Sequence, residues 1–242
     1  MTRNRTIGAA SALFIGLIAQ LGAAQAAPTE SFASPANATR ALYEAVRKND
    51  SRALTGILGA GNEFVSAEDP DQDRREREQF LRKYGEMHRL AREGDLTILY
   101  IGAENWPFPF PLVAQSGAWH FDAAAGMEEV LARRIGENEL AAVVASRELA
   151  QEKHDATPAA GAGLQANVGD DRVITFRGYH FRRLTGGEDV IAYPAQYRVT
   201  GVMTFVAGRD GVVYEKDLGP QSTELAQDIG KVRPLSSWQR LP

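Results

Sequence analysis

Met203-Thr204-Phe205-Val206-Ala207-Gly208-Arg209-Asp210-Gly211-Val212-Val213-Tyr214 decides how the C-terminal part of this chain folds. Two β-rich runs flank Asp210-Gly211, a dipeptide that marks a tight hairpin turn. Working backwards, Arg172 to Phe176, Gly178 to Leu184, Val190 to Tyr197 and Thr200 to Ala207 have strand length and alternation. Gly186-Gly187 and Gly208 supply further turns, and Val212 to Lys216 completes the set. Ser222 to Ile229 predicts a short closing helix. Residues 172–242 therefore read as an antiparallel β-rich domain.

Upstream, Ala156-Thr157-Pro158-Ala159-Ala160-Gly161-Ala162-Gly163 has the composition of a flexible linker, so 153–171 marks a boundary. Before it, 34–152 predicts helices plus a hairpin. Ser34-Pro35 sets an N-cap and first helical position, and Ala38, Leu42, Ala45 and Val46 follow at helical spacing. Leu54, Ile57 and Leu58 make a second short helical face. Asp71 to Arg92 predicts a third helix, charged at its start and apolar later through Phe80, Leu81, Tyr84, Met87, Leu90 and Ala91. Its charge run fits a partner site or, more commonly, a solvated face. Leu96 to Ile101 predicts a strand. Trp106-Pro107-Phe108-Pro109-Phe110-Pro111-Leu112-Val113 must be an edge or extended strip, because its prolines donate no ladder hydrogen bonds. Pro111 to Asp122 predicts a β-hairpin. Met127 to Gln151 predicts a long helix with a core face of Val130, Leu131, Ile135, Leu140, Val143, Val144 and Leu149. The class is α+β.

The N-terminus carries Arg3 and Arg5, an uncharged apolar run from Ile7 to Ala23, and Ala24-Gln25-Ala26 before Ala27-Pro28. That order predicts a signal peptide over 1–26, cleaved near Ala26, and a periplasmic or otherwise exported protein. A retained anchor is the competing reading, since the run lies near the minimum of about 17 residues that spans a bilayer. No later run is long enough to span. Cysteine is absent, which excludes disulfides, thiol nucleophiles and thiolate metal sites. A net charge of -4 gives no electrostatic footprint for nucleic acid.

No serine-nucleophile, phosphate-loop or H-E-x-x-H pattern occurs, so no cofactor and no metal is expected. Trp106, Phe108 and Phe110 fit either one wall of a ligand pocket or ordinary core packing. Arg133 and Arg134 fit an anion-holding rim or helical ion pairs with Glu129 or Glu137. Asp210, Glu215 and Asp217 fit acid–base work or, more commonly, the polar side of a half-buried strand. His88, His120, His154 and His180 share no ligand spacing.

The proline–aromatic strip, Trp119-His120-Phe121-Asp122 running into Arg133-Arg134-Ile135-Gly136-Glu137-Asn138-Glu139-Leu140, and Tyr193-Pro194 with Gly201-Val202-Met203-Thr204-Phe205 and Gly211-Val212-Val213-Tyr214-Glu215-Lys216-Asp217-Leu218-Gly219-Pro220 resemble an exported bacterial domain-of-unknown-function family, number 2950. The resemblance runs from about Phe32 onward. It implies an exported protein and supplies no catalytic residues. It also implies a longer insertion before Gly178-Tyr179-His180-Phe181 than the short alanine–glycine segment present here. At the level of fold alone, the N-terminal helices and hairpin look like nuclear-transport-factor-2-like domains, and the C-terminal strands look like pilin heads. The expected function is a non-catalytic envelope protein that binds a small molecule or an envelope protein. The alternatives are a periplasmic carboxylate-dependent hydrolase and an assembly component with a pilin-like head.

Overall fold

A computed structural model describes residues 29–59, 70–151, 173–184, 189–229 and 237–242. The expected signal peptide over 1–26, the expected linker over 153–171 and the expected turn at Gly186-Gly187 lie outside the described residues. The described chain is α+β, with helices α1–α5 and strands β1–β11 in two antiparallel sheets.

The first sheet runs β1 (His88–Glu93), β2 (Leu96–Ile101), β4 (Leu112–Gln115), β5 (Ala118–Phe121), with β3 (Trp106–Pro107) also on β2. Helices α1 (Pro35–Lys48), α2 (Ser51–Leu58) and α3 (Pro70–Glu86) cover it. Ser34 caps α1 by accepting the Asn37 N–H at 3.2 Å, and Asp50 caps α2 by accepting from Ala53 at 2.9 Å. Thr97, Leu99 and Ile101 point inward from β2, where Leu42, Ile57, Phe80, Tyr84, Phe108, Phe110, Leu112 and Phe121 close the core.

The structure corrects the expected third helix. It ends at Glu86, and His88–Glu93 is a strand paired residue for residue with β2. Leu90 and Ala91 do continue the helical spacing. However, Gly94-Asp95 forms a two-residue hairpin, with Gly94 at φ 62°, and folds the segment back on β2. Six ladder positions outweigh the local helical preference.

The second sheet has the order β11 (Gln239–Arg240), β10 (Val213–Asp217), β9 (Met203–Ala207), β8 (Val190–Pro194), β7 (Tyr179–Arg183), β6 (Ile174–Phe176). All of β8 is buried, because a helix lies on each side of it. Helix α4 (Ala123–Gln151) packs against Tyr179, Phe181, Val190, Ala192 and Phe205 through Ala142, Ala145 and Leu149. On the opposite face, α5 (Ser222–Asp228) sets Ala226 against Ile191, Tyr193 and Val206. Neighbouring arginines on β7 serve these two faces in turn, since strand side chains alternate. Arg182 donates to the carbonyls of Ala226 and Ile229 at 2.8 and 3.1 Å, closing the end of α5. Arg183 donates to the Leu149 carbonyl at 2.6 Å, near the end of α4. Both place positive charge where a helix dipole favours it.

The expected core face of α4 needs a second correction. Leu149 is buried, but Leu140 is 71% and Val144 53% exposed. The helix begins earlier, at Ala123, with Asp122 accepting the Ala125 N–H at 3.0 Å. Its first turns show Ala123, Gly126 and Val130 to the first core, whereas its later turns show Ala142, Ala145, Ser146, Leu149 and Ala150 to the second. At about 100° per residue these are different sides of the helix, so one continuous apolar face was the wrong expectation.

Two glycines of α4 separate these environments. A Cβ on Gly126 would overlap the Phe110 ring, whereas one on Gly136 meets nothing within 4 Å. Gly126→Ala is expected to destabilise by about 1–3 kcal/mol through overpacking. Gly136→Ala is expected to stabilise by about 0.5–1 kcal/mol through helix propensity. Urea titrations of both variants check the opposite signs.

Candidate functional site

Among the described residues, the middle turns of α4 make polar contacts to both sheets. Arg133 faces the first sheet. Its Nη1 donates to the Pro107 carbonyl at 2.9 Å, its Nε pairs with Glu129 at 2.8 Å, and its guanidinium carbon lies 4.9 Å from the centre of the Trp106 ring. Arg134, Asn138 and Glu139 face the second sheet. Arg134 donates to the Val199 carbonyl at 3.5 Å and Asn138 to the Thr200 carbonyl at 2.9 Å. Glu139 Oε1 accepts the backbone N–H groups of Val202 and Met203, both at 2.9 Å.

Tyr179 completes this arrangement. Its hydroxyl donates to the Met203 carbonyl at 2.9 Å and lies 3.5 Å from Glu139 Oε1. Burial, reinforced by the charge of Glu139, raises the phenol far above its ordinary value, so it stays a donor. Gly201 passes so close to this hydroxyl that a Cβ there would overlap it.

The sequence-predicted residues divide accordingly. Phe108 and Phe110 are core residues, tilted against each other with ring centres 5.7 Å apart. Trp106 is half-buried and meets Arg133, so of the five candidate binding residues these two come together at the surface. Arg134 turns to the other sheet. Spacing alone could not signal the roles of Asn138 and Glu139, because their partners are backbone groups more than 60 residues away.

The three carboxylates do not converge. Asp210 Oδ1 accepts the Val212 N–H at 3.1 Å within its own turn. Asp217, at the far end of β10, accepts from the Gly219 N–H at 2.7 Å and from the Tyr197 hydroxyl at 3.1 Å. A five-residue strand, roughly 15 Å at 3.3 Å per residue, separates these two. Glu215 and Asp217 share a strand face as expected. Among the described residues, no three His, Asp or Glu side chains gather as a metal site.

His88 stacks on Tyr84 at 4.0 Å with its Nδ1 at 2.9 Å from the Tyr84 carbonyl, and His120 pairs across the hairpin with Val113. His154 lies outside the described residues. His180 Nδ1 meets Thr175 Oγ1 at 2.9 Å beside Tyr193, and burial lowers its pKa below the usual 6.5.

A family model described as "Protein of unknown function (DUF2950)" matches residues 29–178 and 179–241. No curated protein and no solved structure matches the chain.

Two outcomes follow from this geometry. Glu139→Ala leaves two backbone N–H groups without their acceptor and is expected to cost about 2–4 kcal/mol. Glu139→Gln, which keeps an acceptor oxygen, is expected to cost less than half as much; denaturant melts of the two variants check the order. For His180, the unfolded chain takes up a proton below about pH 6.5 that the folded chain resists. Its contribution is therefore complete above that pH and falls on acidification, until the lowered folded value is passed. The thermal midpoint between pH 7 and pH 5 should drop less in His180→Gln than in the parent protein.

Proposed function

The chain belongs to the DUF2950 family of proteins of unknown function, and from that premise we propose that it is an exported cell-envelope protein that binds a partner protein or small molecule without catalysing a reaction. Export is supported by Arg3 and Arg5, the apolar run after them and Ala24-Gln25-Ala26. No helix among the described residues is long and apolar enough to cross a membrane.

The observation that carries the binding reading is the Trp106–Arg133 pair. A half-buried indole lies against a guanidinium that is itself fixed by Glu129 and the Pro107 carbonyl. Tryptophan and arginine supply much of the energy of binding surfaces, and a prefixed pair loses little entropy when a ligand arrives. Meanwhile Asp210 and Asp217 are occupied in holding turns, which favours binding over carboxylate-dependent hydrolysis.

The experiment is intact and native mass spectrometry of the protein recovered from the envelope fraction. The expected result is a chain starting at Ala27 that retains a small molecule or a protein. Trp106→Leu, which keeps apolar packing but removes the aromatic face, should release it. Recovery of an uncleaved cytoplasmic chain would sink the export reading, and a bare monomer from the envelope would sink the binding reading.

A further inference from the structure

One strip of α4 serves neither core. Glu137, Leu140, Val144 and Arg147 follow one another at spacings of three, four and three residues. All four therefore fall within about 80° of the helix surface, the alternation by which one helix meets another. Ala142, Ala145, Ser146 and Leu149 occupy the opposite side of the same turns and are buried on the second sheet. Among the described residues, Leu140 and Val144 are the two most exposed large apolar side chains.

The charges at the two ends of this strip are unmatched. Glu137 is exposed and Arg147 half-buried. Among the described residues neither has an ion-pair or hydrogen-bond partner, and Arg147 Nε is buried without an acceptor. Arg133, one turn before the strip, is by contrast held by Glu129 and the Pro107 carbonyl. Glu137 and Arg147 cannot reach each other, because ten residues of helix set them about 15 Å apart. They do lie at equal distances before and after Ala142, and so do Leu140 and Val144. A second α4 running antiparallel about a two-fold axis at the level of Ala142 therefore satisfies both pairs at once. Glu137 comes level with the partner's Arg147, Leu140 comes level with the partner's Val144, and symmetry makes each contact twice. A parallel arrangement in the same register sets Glu137 against its own copy, and like charges there repel. Glu148, exposed at the edge of the strip, stays in water.

We propose that this strip of α4 is the interface of a homodimer, in which Leu140 and Val144 of two copies form a small shared core between two Glu137–Arg147 ion pairs. The occupant is a second copy because the strip is complementary to itself in both charge and shape. Pairing removes the apolar side chains from water and gives the Arg147 guanidinium the acceptor that its own chain does not supply. Four turns of helix are short beside a standard interface of about 1,600 Å², so the association is weak. The two Trp106–Arg133 pairs then stand at opposite ends of the shared strip, Arg133 lying roughly 27 Å from its copy along the helix direction. This inference goes beyond the binding reading and does not rest on it.

The test is sedimentation velocity on the purified chain over a concentration series, with circular dichroism to confirm that each variant keeps the parent's helix content. A monomer–dimer equilibrium with a roughly micromolar Kd is expected. Leu140→Glu, at an exposed position, should leave only monomer. Glu137→Arg and Arg147→Glu should each weaken the dimer by roughly tenfold or more, because each sets two like-charged pairs in contact. The double variant Glu137→Arg/Arg147→Glu should restore the parent's Kd within roughly threefold, since the pairs re-form with their signs exchanged. A parent chain that stays monomeric at roughly 100 μM overturns the proposal. So does a dimer that survives Leu140→Glu, which places the interface elsewhere. Failure of the double variant to recover also overturns it, because a strip that meets a different protein gains nothing from exchanging its own charges.

Discussion

The carboxylate of Glu139 accepts two backbone N–H groups at the entry to β9, and the placement of the second sheet on the long helix depends on that bond pair. Buried N–H groups without acceptors cost about 1–3 kcal/mol each, so this is a strong reason for the chain to leave the 196–201 loop at one angle only. Six residues earlier, Arg133 performs the matching task for the first sheet by holding the Pro107 carbonyl. A helix advances about 1.5 Å per residue. The two anchor points are therefore roughly 9 Å apart along a stiff rod, and the helix sets the spacing between the two cores.

That double duty explains the composition of α4. A helix serving one core would carry one broad apolar stripe. Here small residues do the close work. Gly126 admits the Phe110 ring, and Ala142, Ala145 and Ala150 let the later turns lie near β7, β8 and β9. Leu140 and Val144 continue the line of the early buried face past the point where the first sheet ends, which leaves them in solvent.

Local chemistry was legible in the sequence wherever the signal and its partner lie within a few residues. Ser34-Pro35 opens α1, Asp210-Gly211 turns between β9 and β10, and the apolar run at Val190 becomes a strand buried on both faces. His88–Glu93 misled because helical spacing and strand alternation overlap over six residues, and β2 decided between them. The face of α4 misled because periodicity assumes a single buried side. At the site, Trp106 and Arg133 could be named individually, but their meeting depends on how far α4 runs past β3. Glu139 was visible only as one of several helical acids, since a backbone N–H has no letter in the sequence.

Arg182 and Arg183 have one more consequence. Each reaches a different helix end only because β7 is aligned as it is against β6 and β8. If the strand slipped by one residue, every side chain would change faces. The guanidinium that now meets α5 would be driven into the layer beneath α4, and its neighbour would be stranded on the opposite side. A charged pair at adjacent positions thus acts as a lock against misalignment in the strand next to the sheet edge, where the flanking partner β6 is only three residues long.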